Sequence, residues 1–206
     1  MYDHNWDHPE YAIDILNDPI AKQFVTGSAF HAYGGEVPAM STVHEAHPDK
    51  GLYFTEVSGG EWATNFSDNL QWNMTHIFIG TTKNWSRTAL LWNLALDENH
   101  GPKNGGCQDC RGVVTIRQNG SVVRNVEYYS IGHFSKFIRP GAYRITSTAF
   151  NSGTRLDNVA FINTDGSKVV VVANYDTLPK SFVVKLEGKQ FSYFIQPKSV
   201  VSLIWI

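Results

Sequence analysis

A carboxylate at the end of a short apolar run is the first feature of this chain with chemical content. It stands in Leu52-Tyr53-Phe54-Thr55-Glu56-Val57-Ser58-Gly59-Gly60-Glu61-Trp62, where Glu56 closes an aromatic segment and two glycines follow. A strand that ends on an acid just before a glycine turn offers that acid at the carboxyl edge of a parallel β/α layer, where such layers carry their catalytic groups. The competing reading makes Glu56 an ordinary exposed acid at a strand end. A second unit, Val25 to Gly35, carries His31 and Tyr33 two residues apart, so that on a strand they share one face. A Tyr or His beside a carboxylate can hold it ionised and oriented. Cys107 and Cys110 form one C-x-x-C with no second pair, a poor zinc signal. A local disulfide, two free thiols or a redox pair are the alternatives.

The segments around these residues alternate. Pro9 suits the first turn of a helix that carries Tyr11, Ile13, Ile15 and Leu16. Asp18 and Pro19 start a further turn, and the helical run ends near Phe24. The 25–35 strand follows, then a helix over 38–46 and the strand ending at Glu56. A long helical pattern lies between Ser67 and Thr81, with Leu70, Trp72, Met74, Ile77, Phe78 and Ile79 as apolar positions. Thr88 to Asp97 is an apolar run expected to form a strand buried on both faces. Tyr2 to Asp7 reads as a loop following a strand. Such alternation argues for a parallel α/β assembly.

The character changes near Gly112. A hairpin is expected around Gln118-Asn119-Gly120-Ser121, then a helix over 126–138. Beyond Pro140 only strands follow, two of them joined by Thr164-Asp165-Gly166-Ser167. Short strands between turn residues suggest a β-sandwich. The fold class read from this is α/β plus all-β, with residues 1–140 in one layer system and 141–206 in the other.

Composition bounds the function. The 206 residues are 42% hydrophobic and 13% aromatic, enough to bury a core. A net charge of −2 gives no electrostatic case for nucleic acid or an anionic membrane surface. No apolar run approaches the ~18 residues of a membrane span. The start, Met1 to Asp7, is polar and unlike a secretory leader. Six Trp are many for this length; buried aromatics explain most, and ring faces for carbohydrate are the functional alternative. Sequons occur at Asn65, Asn73, Asn84 and Asn119, and Asn73 lies inside an expected helix.

Several motifs, in order, resemble glycoside hydrolase family 30: Tyr2-Asp3-His4-Asn5-Trp6-Asp7, Phe30-His31-Ala32-Tyr33, Thr55-Glu56-Val57-Ser58-Gly59-Gly60 and Leu91-Trp92-Asn93-Leu94. Cys107 to Val114 and Tyr128 to Gly141 are similar to its glucosylceramidase-like branch, and the resemblance covers essentially the whole chain. It implies part of a TIM (β/α)8 barrel, strands five to eight with the last helix, followed by an antiparallel β-sandwich. It also implies retaining hydrolysis of a β-glycosidic bond, with no cofactor and no metal. Two carboxyl groups about 5–5.5 Å apart share that work, one as nucleophile and one as acid/base. On this mapping Glu56 is the nucleophile. His31, Tyr33, Trp92, Trp62, Asp3, Trp6 and Asn93 face substrate. An extracellular or lysosome-like setting follows by the same resemblance.

One departure bears on activity. The family's acid/base is a Glu after an Asn, usually before a Pro, on the fourth barrel strand, and no Asn-Glu-Pro occurs here. The partners expected are therefore a carbohydrate substrate together with the other barrel half, from the same or a second polypeptide, or a second copy of the chain. In the last case Glu45, Glu61, Asp97 or Glu98 is the candidate substitute acid. The rival functions are a carbohydrate-binding module without turnover, an inactive fragment, and a redox or metal protein built on the cysteine pair.

Overall fold

The computed structural model describes residues 1–206. The chain opens with β1 (Tyr2–Asn5), α1 (Pro9–Asn17), β2 (Gly27–His31), α2 (Ala39–Ala46) and β3 (Gly51–Glu56). Next come β4 (Gly59–Gly60), α3 (Phe66–Trp72), a π-helical stretch Asn73–Phe78, α4 (Ile79–Lys83) and β5 (Ser86–Ala89). Four strands pair in parallel in the order β1-β2-β3-β5. Tyr2–Asn5 is thus itself a strand and not the loop after one: its backbone finds partners along β2.

The pattern of side chains explains the layer. Phe30, Leu52 and Phe54 are fully buried against Met40, Val43 and Leu16 from the helices. Their alternate neighbours Ala29, Tyr53 and Thr55 face the other side, where with Thr88 and Leu90 they line an open groove of about 500 Å³. In a closed barrel that face is packed by side chains from the opposite strands. Here both edges of the sheet, β1 and β5, are unpaired.

The apolar run 88–97 departs from expectation. Strand β5 ends at Ala89, and Leu90 and Leu94 are 49% and 75% exposed. Two causes act together. The Ser86 hydroxyl donates to the Thr88 carbonyl and accepts from the Phe54 amide, which breaks the regular ladder. Leu90 also looks onto the open groove, where no strand covers it.

The chain continues through β6 (Ala95–Leu96), β7 (Cys110–Arg111), the hairpin β8 (Val114–Ile116) and β9 (Val122–Arg124), and α5 (Val126–Ser135). Strand β7 pairs antiparallel with β4. Cys107 and Cys110 are joined in a disulfide, their Cα atoms 5.6 Å apart.

The remainder is antiparallel. Strands β10 (Tyr143–Ile145), β11 (Leu156–Ile162) and β12 (Lys168–Asn174) form a sheet with β15 (Ser199–Trp205). Strands β13 (Lys180–Leu186) and β14 (Lys189–Ile195) form a hairpin against it, packed through Phe182 and Ile195. Asp165 makes the β11–β12 turn by accepting from the Ser167 amide and hydroxyl. One core runs through both parts: Phe161 and Val171 of the sandwich belong to the same buried cluster as Met74, Ile77 and Phe78. Asn73 is 4% exposed and donates to Ser130, so it carries no glycan.

The seam between α5 and β15 carries a titratable group. His133 meets Ser202 through its Nδ1, and burial holds its imidazole below the usual value. A depressed histidine leaves stability intact at neutral pH. As pH falls through about 6.5 the unfolded chain gains a proton that the native site resists, and stability is lost until the folded value is passed. The thermal midpoint therefore drops between pH 7 and 5, and drops less in His133→Asn. Equal slopes in the two proteins would remove His133 from this account.

Candidate active site

Strand β3 delivers Glu56 because Leu52 and Phe54 fix its pleat against the helices. At the strand's end the register with β2 slips between Phe30 and His31, and His31 comes opposite Glu56. Beyond β2 the chain turns back so that the Tyr33 hydroxyl donates to Glu56 Oε1 at 3.2 Å. Ser58 Oγ lies 3.1 Å from the same phenol oxygen. Tyr33 has one proton and gives it to the carboxylate, so Ser58 donates to Tyr33. Burial, and then the negative charge of Glu56, push the Tyr33 phenol above its usual value, which keeps it a donor.

Of the two residues expected to orient Glu56, Tyr33 touches it and His31 does not. His31 Nε2 instead donates to Asp3 Oδ1 at 3.1 Å, and Thr55 Oγ1 donates to the same oxygen at 2.7 Å. The Thr55 bond, then the His31 bond, hold Asp3 below the ordinary carboxylate range. Asp3 reaches this place through a kink: Tyr2 and Asp3 have φ of 71° and 56°, where the β1 register slips. Left-handed backbone at non-glycine residues costs about 1–3 kcal/mol and gathers at functional sites. Asp3 is ionised and already holds two donors, which suits ordering of His31 rather than proton donation.

The tryptophans divide. Trp92 is tied to the site by its amide, which donates to the Val57 carbonyl at 3.0 Å, and the residue is 53% exposed. Trp62, just past β4, is 58% exposed. Asn93 is half-buried beside Trp92; its carbonyl accepts from Val113 and its side chain has no partner within the chain. Trp6 is a correction. It is 3% exposed and packs against Phe54, ring centres 5.6 Å apart, so it is core and offers no face to a sugar.

None of the candidate substitute acids is hydrogen-bonded to the residues that hold Glu56. Asp97 accepts from the Asn99 and Gly101 amides, and Glu98 from the Gln118 amide, so both order their loops. Glu45 and Glu61 are exposed and hydrogen-bonded to nothing through their carboxylates.

Residues 1–138 match the glycosyl hydrolase family 30 TIM-barrel domain, and residues 141–203 match the family's beta sandwich domain. The chain belongs to glycoside hydrolase family 30. Among its relatives, endo-1,6-beta-D-glucanase neg1 of Aspergillus fumigatus is 34% identical over 185 residues, 84% of this chain and 35% of that protein. Putative glucosylceramidase 2 of Caenorhabditis elegans is 30% identical over 212 residues, 98% of this chain and 41% of that one. The solved structure of the endo-beta1,6-glucanase BT3312 superposes with a TM-score of 0.92 at 36% identity, covering 98% of this chain and 47% of that one. The chain thus spans less than half the length of each.

Sequence reasoning passed over Thr55, Ser58 and a row of amides, Asn65, Asn69 and Asn73. The row had a signal: spacing of four along a helix puts all three on one face. Arg111 and Glu127, which brace β4 from behind, gave none, because their pairing depends on tertiary contact.

Proposed function

We propose that the protein is a retaining β-glycoside hydrolase in which Glu56 is the nucleophile. The observation that carries this reading is the Tyr33 hydroxyl bonded to a carboxylate at the carboxyl end of a parallel strand, beside the exposed Trp92. Glu56 attacks the anomeric carbon and the glycosidic oxygen departs, leaving a glycosyl ester. Water then attacks the same carbon and frees the sugar with its β configuration. Tyr33 steadies the carboxylate before attack and releases it as the ester forms. His31 and Asp3 order the adjoining wall, and Trp92 and Trp62 present faces to the pyranose.

The acid/base comes from polypeptide that closes the open face of the sheet, in the same chain or a partner. β-Glucosides are the substrate class, and linear β-1,6-glucan is the first polymer to try, since relatives of 34% identity carry that activity in their names. An activated aryl β-glucoside tests the reading, because its leaving group departs without protonation. Release that disappears in Glu56→Gln supports it. Sugar binding with no release in any form of the protein would favour a binding module instead.

Tyr33→Phe separates positioning from binding. A hydrogen bond to a charged group is worth about 1.5–3 kcal/mol, so kcat should fall roughly 10- to 150-fold. KM for the aryl glucoside should move little, as measured by steady-state kinetics. An unchanged kcat would remove Tyr33 from the mechanism.

A further inference from the structure

The two edges of the sheet that carries Glu56 match each other. Strands β1, β2, β3 and β5 run parallel, and β1 and β5 have no partner on their outer sides. A two-fold axis laid along the strands, on the open side of the sheet, sets β5 of one copy beside β1 of the next, pointing the same way. The reverse seam forms at once, because a two-fold contact is reciprocal. Four strands and four make the eight that close a parallel β/α barrel, and closure leaves no edge. The count depends on Tyr2–Asn5 being a strand, which its pairing with β2 establishes.

The chain also exposes more surface than its mass accounts for. Its accessible area is 11512 Å². A compact monomer of this mass exposes about 9,700 Å², which leaves an excess of about 1,800 Å². Buried on both copies, that excess makes an interface of about 3,600 Å², inside the roughly 2,000–5,000 Å² of obligate homodimers. The uncovered face is apolar. Phe24 is 84% exposed and Leu90 49%, and both line the open groove together with Val25, Ala29 and Tyr53. Contiguous exposed apolar surface marks an interaction site.

The edges are complementary in charge. Thr88 and Leu90 line the groove, so alternation along β5 turns Arg87 to the helix side. Arg87 is exposed and meets no acid of its own chain. Asp14 lies on α1, the helix that follows β1; it is exposed and meets no base. The seam between β5 and the next copy's β1 puts Arg87 in one layer with the second copy's Asp14, and the other seam repeats the pair. Neither edge strand carries Lys or Pro, the residues that commonly blunt a free edge.

We infer that two copies of this chain associate about a two-fold axis to close an eight-stranded barrel, each covering the other's open face. The inference deepens the hydrolase reading and rests on it for one consequence. Both Glu56–Tyr33 pairs then open on a single mouth, and the wall opposite each Glu56 comes from the second copy.

Light scattering during size exclusion of the full chain, at micromolar concentration, tests it. The native protein should show twice the chain mass and no larger species, because a closed ring takes no third copy. Leu90→Glu and Phe24→Glu each put a charge at an exposed groove position, which the single chain tolerates and a closed barrel must bury. Each should weaken association at least about 100-fold, with circular dichroism showing that both variants remain folded. A native monomer, open-ended growth, or a dimer that both variants leave intact would overturn the inference. The hydrolase reading fails separately. A monomer that releases the aglycone of an activated aryl β-glucoside through Glu56 would sink the two-copy barrel alone. A dimer dissolved by the groove variants, in which Glu56→Gln changes no rate, would sink the hydrolase reading alone.

Discussion

Glu56→Gln should lower kcat/KM on an activated aryl β-glucoside by about 10⁴-fold or more, the scale on which removal of a covalent nucleophile is felt. The amide keeps the shape of the carboxylate, and its oxygen can still accept from Tyr33 Oη, which lies 3.2 Å from Oε1 in the native site. What it lacks is the charge and the nucleophilicity needed to form the glycosyl ester. Fold and sugar affinity should persist, so the loss falls on kcat and not on KM. External azide supplies a second reading. In Glu56→Ala, where the side chain is gone, a small anion can occupy the vacated space and return an α-glycosyl azide, whereas the retaining reaction gives β-glucose. Activity within tenfold of native would place the nucleophile elsewhere.

The second large effect concerns stability. Arg111 and Glu127 form an ion pair at 2.9 Å with side chains only 12% and 3% exposed, and Asn69 and the Ala63 carbonyl lie within 3.5 Å of the pair. Glu127→Ala leaves the guanidinium in a nearly dry site. Breaking one side of such a pair costs about 3–5 kcal/mol. In a chain of this length that is a fall in thermal midpoint of roughly 10 °C. The combined Arg111→Met, Glu127→Leu protein should recover much of the loss, since the unpaired charge is gone. Gly59→Ala should hurt for a related reason, because its Cβ would stand 2.0 Å from Glu127 Oε1. A loss below about 1 kcal/mol for Glu127→Ala would mean that water reaches the pair and that it resembles a surface bridge.

These two effects meet in β4. Its two glycines let Glu127 approach from one side and the Trp62 ring from the other. A double glycine after a strand-ending acid therefore has a packing cause at each position, besides making a turn.

How much was legible in the sequence follows from which signals are local. Glu56 at a strand end could be read because an alternating aromatic run and a glycine turn lie within a few residues of it. The sandwich strands could be read for the same reason, with Asp165-Gly166 supplying a turn whose side-chain bonds are internal. Trp6 could not: a tryptophan in a polar stretch looks exposed, and only tertiary packing, against Phe54 among others, buries it. The 88–97 run was misread because an apolar string has the same appearance whether strands cover both its faces or one face looks onto an open groove. The bond from His31 to Asp3 could not be read, because the kink at Tyr2 and Asp3 that accompanies it leaves no mark in the residue types.

The central claim is that Glu56 becomes covalently bonded to sugar. Incubation with a 2-deoxy-2-fluoro-β-glucoside bearing a dinitrophenolate leaving group tests it most directly, because fluorine slows both steps and the good leaving group preserves the first. The account predicts a stable adduct of one fluoroglucosyl unit, mapped by peptide mass spectrometry to Glu56 and absent in Glu56→Gln. An adduct on another carboxylate, or turnover with inverted configuration and no adduct at all, would contradict it.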